Sequence, residues 1–236
     1  MLTYLSYSIS FSPSILHIDK IPPTNSNLTN ITNIGYIIFV HRAEQCPHCI
    51  NLGPTWNLAA EMGEGLAIFS ELNCVTDEEI CRKLRVYSVP SIIYYKNESA
   101  TLYKGYRIPR EIVNWVSQFV NTNSINIVDH LNYSNISKNE GLKKVAILFS
   151  EKKDIPKIWV AVNNVLNQFN QNNQILFLFS RDKQLHHELN LSTFPGIYFS
   201  NDKKEFIEYK GKRIIPRIVN FIQDQIQLYS DHKTEL

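Results

Sequence analysis

The first of two cysteine pairs in the chain has the spacing of a redox-active dithiol. Cys46 and Cys49 enclose Pro47 and His48. Two cysteines separated by two residues lie within one helical turn, close enough to form a disulfide. Only the thiolate form of a cysteine attacks a disulfide, so a group that stabilises a Cys46 thiolate would favour exchange. The spacing therefore predicts thiol–disulfide exchange at Cys46 and Cys49.

The elements predicted around this pair are those that would activate it. A buried, β-branched strand is predicted over residues 36–40 and a helix over residues 46–62. Cys46 would then lie at the N-terminus of the helix, where unpaired amides and the helix dipole favour an anion. Pro47 would occupy the first helical position, where its missing N–H costs nothing. His48 would add partial positive charge beside the Cys46 sulfur.

The same spacing is compatible with three roles that involve no exchange chemistry. The pair could be two buried structural thiols, a static structural disulfide, or part of a zinc site formed by all four cysteines. A Pro-His pair at the start of a helix has no packing rationale, which argues against structural thiols. Cys74 and Cys81 enclose six residues, a spacing outside the usual zinc knuckle, so we expect no metal site.

A sequence repeat divides the chain into two units. The segment YKGYRI at 103–108 recurs as YKGKRI at 209–214, and a proline followed by an apolar run precedes each copy. The offset of about 106 residues is the size of a small domain. Each unit has the predicted element order β-α-β-α-β-β-α. We therefore predict an α/β fold with two tandem domains, 15–122 and 127–230, each a central mixed β-sheet flanked by helices.

Composition argues against two classes of partner. The chain has 236 residues, of which 44% are hydrophobic, and a formal net charge of +2. This charge provides no electrostatic footprint for a nucleic acid. No stretch reaches the roughly 18 consecutive apolar residues that a membrane helix needs. We expect neither nucleic acid nor a membrane span.

The first unit resembles the thioredoxin-fold catalytic domains of the protein disulfide isomerase family over nearly its whole length. The points of resemblance are Cys46-Pro47-His48-Cys49, Pro54, Trp56, Leu58-Ala59, Val89-Pro90 and Gly105-x-Arg107. The resemblance implies two thioredoxin-like domains, of which the second has no cysteine and resembles the family's redox-inactive domains. It implies a protein disulfide isomerase or dithiol oxidase with no cofactor, whose disulfide exchanges electrons with glutathione or an upstream oxidase.

The resemblance also implies roles for residues outside the motif. The proline that matches Pro90 is cis in this family and lies against the active-site sulfurs, and the Val89 backbone would pair with a substrate strand. The arginine that matches Arg107 would swing toward Cys49 and stabilise its thiolate. A surface charge on a turn is the alternative, because Arg213 occupies the same place in the cysteine-free unit.

Departures from the family affect the expected chemistry. The insert Pro-His, instead of Gly-His, is typical of a bacterial periplasmic dithiol oxidase of the same fold, and implies a reduction potential between about −180 and −120 mV. Gln45 replaces the usual tryptophan. Val40 replaces a buried glutamate that is thought to move the proton of the second cysteine, and Glu71 replaces its lysine partner. Either Glu71 supplies the carboxylate, or Cys49 loses its proton slowly.

Cys74 and Cys81 have the spacing of a second disulfide in some family members. Such a bridge would stabilise the fold by about 2–3 kcal/mol in the chain-entropy model. Two free thiols are the alternative.

The termini and the fold together suggest a compartment and partners. Residues 1–16 match a secretory signal poorly, because no basic residue precedes the apolar part. The tail Lys233-Thr234-Glu235-Leu236 differs by one residue from a retention signal, so we expect the lumen of the endoplasmic reticulum. The expected partners are unfolded or misfolded secretory polypeptides with cysteines, and an upstream thiol oxidase. A chaperone or adaptor with minor redox activity is the alternative function.

Overall fold

The computed structural model describes residues 16–17, 34–138, 144–169 and 175–234. The predicted retention tail therefore lies partly outside the described residues, because Glu235 and Leu236 are not among them. Within the described ranges, no helix combines the length and apolarity needed to cross a membrane.

The first unit contains a five-stranded mixed sheet. Its elements in chain order are β1 (Leu16–His17), β2 (Tyr36–His41), a 3-10 turn (Ala43–Gln45), α1 (Pro47–Met62), β3 (Ile68–Asn73), α2 (Glu78–Lys83), β4 (Ser91–Lys96), β5 (Ser99–Leu102) and α3 (Pro109–Ser117). The strand order is β1-β3-β2-β4-β5. The central strand β2 pairs in parallel with β3 and antiparallel with β4.

The sheet is covered by helices on both faces, and β2 contributes side chains to both. Phe39 points to the face that carries α1, where its ring lies 5.6 Å from that of Trp56. Val40 points to the opposite face and packs with Leu72 and Cys81. This alternation follows from the two-residue period of a strand, and buried β2 is apolar on both faces as far as Val40.

The second unit repeats this topology strand for strand. Its elements are β6 (Asn126–Ile127), α4 (Tyr133–Ser137), β7 (Lys144–Phe149), α5 (Lys157–Phe169), β8 (Ile175–Ser180), α6 (Lys183–Glu188), β9 (Ile197–Ser200), β10 (Ile207–Glu208) and α7 (Ile215–Thr234). The sheet order is β10-β9-β7-β8-β6. The predicted fold class, two tandem units with mixed sheets flanked by helices, is confirmed. The exact boundaries stay a prediction, although β6 begins at Asn126, within the segment expected to link the units.

The two units pack against each other through α5. The loop between α1 and β3 contains Gly65, and the side-chain amide of Asn164 donates a hydrogen bond to the Gly65 carbonyl at 2.8 Å. Gly65 has φ +75° and lies so close to α5 that a Cβ there would be 2.5 Å from the Ala161 carbonyl oxygen. One buried apolar cluster, the shared core, consequently includes residues of both units, among them Leu66 and Val165.

Candidate active site

Cys46 and Cys49 form a disulfide at the N-terminus of α1. Cys46 is the N-cap residue, and its sulfur accepts a hydrogen bond from the Cys49 amide at 3.2 Å. The two Cα atoms are 5.2 Å apart. Pro47 is the first residue of the helix, as predicted, because a proline there removes no helical hydrogen bond. Both sulfur-bearing residues are buried, whereas Pro47 and His48 are exposed.

The disulfide rests on the shared core. Cys46, Cys49 and Phe39 belong to the same buried cluster as Trp56, whose ring makes tilted contacts with Phe39 and Phe69. The helix dipole and the unpaired amides at its start therefore act on sulfur atoms that are largely shielded from water, where electrostatic interactions are stronger. The arrangement suits stabilisation of a Cys46 thiolate after reduction.

A tight turn connects β2 to Cys46. Ala43 has φ +43°, in the left-handed region that an alanine rarely adopts. The Gln45 amide donates to the Arg42 carbonyl at 3.1 Å, and the Cys46 amide donates to the Ala43 carbonyl at 3.4 Å. The Ala43 amide donates to Nδ1 of His41 at 2.9 Å. The side chain of His41 is thus part of the structure that leads into the disulfide.

The Val89–Pro90 loop lies at the same end of the sheet as the start of α1, because Ser91 pairs with Val40 near the end of β2. The peptide bond between these residues is cis, and Val89 packs against the shared core that contains both cysteines. Nη2 of Arg107 donates a hydrogen bond to the Pro90 carbonyl oxygen at 2.7 Å. In this oxidised state the guanidinium is therefore bound to the proline loop. Its predicted approach to Cys49 remains a prediction.

The carboxylate of Glu71 lies next to a histidine. Glu71 pairs with Phe39 across the strands, and its Oε2 is 3.8 Å from Nε2 of His41. Because Val40 faces the other side of the sheet, it does not occupy a site under α1. His41 is on the α1 side instead, where its ring lies 5.1 Å from that of Phe39. Matching positions with the family's buried glutamate selected Val40 and missed His41. Side chains on one face of a strand recur every second residue, so His41 lies on the same face as Phe39.

The second cysteine pair forms a disulfide on the other side of the sheet. Cys74 follows β3 and Cys81 lies in α2, with Cα atoms 5.8 Å apart. Both are buried with Val40 and Leu72. All four cysteines are thus in disulfides, and in the described ranges no three His, Cys, Asp or Glu side chains are grouped to hold a metal ion.

An open cavity separates the second disulfide from the Val89–Pro90 loop. Its volume is about 370 Å³, and it is lined by residues that include Arg42, Tyr87 and Val89 together with both bridged cysteines. The Tyr87 side chain is 89% exposed. This surface offers an aromatic ring and a cation within one recess beside Val89.

The second unit retains the proline loop without the cysteines. Its Phe194–Pro195 peptide bond is also cis, and Nη2 of Arg213 donates to the Pro195 carbonyl oxygen at 2.8 Å. The position that corresponds to the start of α1 is the exposed loop at 151–154, where no cysteine occurs.

An ion pair in the second unit joins the segment after β6 to α6. Nδ1 of His130 is 2.6 Å from Oδ2 of Asp182, which caps α6 and also accepts the His130 amide. The hydrogen bond to Asp182 raises the pKa of His130. Partial burial alone would raise the pKa of Asp182, but hydrogen bonds from His130 and from backbone amides of α6 outweigh it and lower the pKa to about 2.

Comparisons with known proteins agree with this site. Residues 25–118 match the thioredoxin family. A stretch of 92 residues is 34% identical to DnaJ homolog subfamily C member 10 of Rattus norvegicus and covers 38% of this chain and 12% of that protein. A stretch of 99 residues is 30% identical to Protein disulfide-isomerase 1 of Caenorhabditis elegans and covers 40% of this chain and 20% of that protein.

A solved structure extends the likeness across both units. The crystal structure of ERdj5 form I superposes with a TM-score of 0.63 at 17% identity, over 90% of this chain and 29% of that one. At this identity the likeness shows the fold alone. Both units therefore have a thioredoxin-like fold, and the first has a disulfide at the start of α1. The chain is similar to Protein disulfide-isomerase 1 over 99 residues, and it spans only a fifth or less of the rat and nematode relatives.

Proposed function

We propose that the chain is a thiol–disulfide oxidoreductase that forms or rearranges disulfides in secretory polypeptides. The observation that carries the proposal is the Cys46–Cys49 disulfide at the start of α1, with the Val89–Pro90 loop at the same end of the sheet. The relatives named Protein disulfide-isomerase 1 and Protein disulfide isomerase-like 5-1 support the same chemistry, since they are 30% and 31% identical to this chain over 99 and 75 residues.

Oxidation of a substrate dithiol would proceed in two exchanges. A substrate thiolate attacks the Cys46 sulfur, a mixed disulfide forms, and Cys49 leaves as a thiolate. The second substrate thiolate then attacks the substrate sulfur of that mixed disulfide, and Cys46 leaves as a thiolate. The substrate loses two electrons and two protons, and the Cys46–Cys49 pair gains them. Glutathione disulfide or an upstream thiol oxidase would return the pair to its oxidised form.

The remaining residues of the site would control these exchanges. The helix N-terminus and His48 would stabilise the Cys46 thiolate, which makes it a better leaving group. The Val89 backbone would pair with an extended substrate segment, with little selectivity for its sequence. The cavity beside Val89 is large enough to receive a substrate side chain.

The proposed compartment is the lumen of the endoplasmic reticulum. The buried Cys74–Cys81 disulfide supports an oxidising compartment, because such bridges persist where thiols are not kept reduced. The proposed partners are unfolded or misfolded secretory polypeptides with cysteines, and an upstream oxidase.

Two cysteine variants and one potential test the proposal. Cys46→Ala is expected to abolish oxidation of a dithiol peptide, and Cys49→Ala is expected to trap mixed disulfides with substrate. The reduction potential of the pair in a glutathione buffer is expected between about −180 and −120 mV. Oxidation that survives in Cys46→Ala would refute the proposal. A potential near about −270 mV would make the protein a reductase instead.

A second candidate function is the binding of unfolded chains with minor redox activity. The observation that favours it is the cysteine-free unit, which keeps the Phe194–Pro195 loop and its contact with Arg213. An aggregation assay with a cysteine-free substrate separates the two candidates. Protection that is unchanged in a Cys46→Ala/Cys49→Ala variant, together with no measurable dithiol oxidation by the unmodified chain, would favour binding.

A further inference from the structure

A chain of hydrogen bonds connects the side chain of His41 to the reactive sulfur. Nδ1 of His41 accepts the Ala43 amide at 2.9 Å. The Ala43 carbonyl accepts the Cys46 amide at 3.4 Å, and the Cys46 sulfur accepts the Cys49 amide at 3.2 Å. Each hydrogen bond holds the residue that takes part in the next one: His41 holds Ala43, and Ala43 holds Cys46. The orientation of Cys46 at the start of α1 therefore depends on an acceptor at Nδ1.

Ala43 needs such support because its backbone is strained. With φ +43°, it occupies a region in which the Cβ atom of an L-residue is crowded by the backbone. A conformation of this kind persists only where surrounding contacts hold it. The bond from the Ala43 amide to His41 is one such contact, and it is partly buried, where a lost hydrogen bond is costly.

The second ring nitrogen selects the tautomer that makes this bond. Nε2 of His41 faces the carboxylate of Glu71, with 3.8 Å between Nε2 and Oε2. A carboxylate favours the hydrogen on the nitrogen that faces it, and a neutral ring then has its lone pair on the other nitrogen. At 3.8 Å Glu71 favours Nε2–H by electrostatic attraction rather than by a hydrogen bond, and the lone pair on Nδ1 then accepts the Ala43 amide.

We propose that His41 is a positioning residue for Cys46, and that Glu71 holds it in the required tautomer. This inference rests on the proposed role of Cys46 as the exchanging sulfur. Neutral His41 supports the 3-10 turn, the turn places Cys46 at the helix N-terminus, and that place determines the reactivity of its thiolate. A second proton on the ring occupies Nδ1, removes the acceptor and releases the Ala43 amide.

The protonation of His41 depends on the charged and titratable groups around it. On β3 the Glu71 carboxylate lies near Nε2 of His41, and His17 of β1 lies opposite Glu71 in the strand register. Arg42 precedes the turn and is exposed. The residues that α1 buries are Cys49, Leu52, Trp56, Ala59 and Ala60, so no charged side chain comes from the buried face of that helix.

The rate of Cys46 alkylation is the appropriate readout, because it reports the thiolate without requiring a substrate. The whole chain is reduced and treated with iodoacetamide over a series of pH values, and Cys46 modification is followed by mass spectrometry of its peptide. His41→Phe removes the acceptor. His41→Asn keeps an oxygen near the position of Nδ1 but does not titrate. His187→Asn, on the exposed side of α6, is the matched control.

We expect His41→Phe to be alkylated about three- to tenfold more slowly than the unmodified chain at neutral pH, which corresponds to one lost hydrogen bond. His41→Asn and His187→Asn should keep the normal rate there. Below about pH 6.5, the ordinary pKa of histidine, the unmodified chain should lose reactivity more steeply with falling pH than His41→Asn does.

Three results would overturn the proposal. The first is an unchanged alkylation rate in His41→Phe, and the second is an equally slow rate in His41→Asn. The third is an alkylation rate that falls equally steeply with pH, on the acid side of the profile (the acid limb), in His41→Asn and in the unmodified chain. If His41→Phe does not fold, the comparison of acid limbs still decides. The His41 variants could show the expected alkylation rates while the unmodified chain shows no dithiol oxidation. That result would refute the proposed function and leave this inference intact.

Discussion

Arg107 donates a hydrogen bond to the carbonyl oxygen of Pro90 at 2.7 Å, and Arg213 makes the same bond to Pro195 at 2.8 Å in the unit without cysteines. A contact that occurs in both units does not require a thiolate. It joins the segment before α3 to the proline loop, so it can stabilise the surface on which a substrate would lie.

We therefore predict that Arg107→Ala impairs substrate binding more than chemistry. The KM for a dithiol peptide should rise several-fold, about the effect of one hydrogen bond, with a smaller change in kcat. Arg213→Ala is the control and should leave both unchanged. An unchanged KM with slower deprotonation of Cys49 would instead support the role implied by the family, in which Arg107 moves to the thiolate.

The second disulfide should contribute to stability. Because Cys74 and Cys81 are seven positions apart, the loop between them is short, and its closure stabilises the fold by about 2–3 kcal/mol in the chain-entropy model. Cys74→Ala/Cys81→Ala should lower the free energy of unfolding in urea by about that amount. A loss well under 1 kcal/mol would show that the bridge adds little, and dithiol oxidation should persist in the folded variant.

Two glycines should respond to alanine in opposite directions. At Gly65, positive φ and the nearby Ala161 carbonyl oppose a Cβ, so Gly65→Ala should destabilise the chain by about 1–3 kcal/mol. Gly53 lies within α1 and has nothing within 4 Å of an added Cβ, so Gly53→Ala should stabilise it by about 0.5–1 kcal/mol. Urea unfolding measures both. Equal effects would contradict the close contact with α5.

The ion pair of His130 and Asp182 should make stability depend on pH. The raised pKa of His130 means that its contribution is complete below the ordinary value of about 6.5 and is lost as the pH rises through the folded value. For Asp182, whose pKa is about 2 in the folded chain, the contribution is complete above 3.8 and is lost as the pH falls toward 2. The pair should stabilise most between these limits.

His130→Asn tests that dependence. In urea unfolding, the unmodified chain should lose more stability than His130→Asn between about pH 6 and pH 8, where histidine titrates. His187→Asn, which replaces an exposed histidine, should follow the unmodified chain. Parallel curves for all three would show that the pair contributes nothing measurable in this range.

The sequence predicted the elements that have strong local patterns. The helix that begins at Pro47 and the strand that begins at Tyr36 appear close to their expected positions, because proline placement and apolar runs are local signals. The short strands β1 and β6 and the helix α4 were missed, since two to five residues contain no measurable period. The repeat near Arg107 and Arg213 extended the prediction to the second unit.

The site was only partly predictable for a different reason. β2 is apolar on both faces as far as Val40, so its alternation does not reveal which face carries α1. Only the contact between Phe39 and Trp56 identifies that face, and with it His41. The contact between the units was also missed. The sequence feature that could have predicted this contact lies in α5. Four consecutive apolar residues there point in every direction around the helix, a pattern typical of a buried helix: Trp159, Val160, Ala161 and Val162.

The burial of α5 between the units affects how a long polypeptide would meet the protein. Because Asn164 bonds to Gly65 and one buried core includes residues of both units, the Val89–Pro90 and Phe194–Pro195 loops belong to units that pack against each other. If one polypeptide reaches both loops, its binding at the first raises its effective concentration at the second, and no entropy is spent on ordering a flexible tether between the units. Avidity would thus depend on the spacing between two segments of the client rather than on its affinity for either loop.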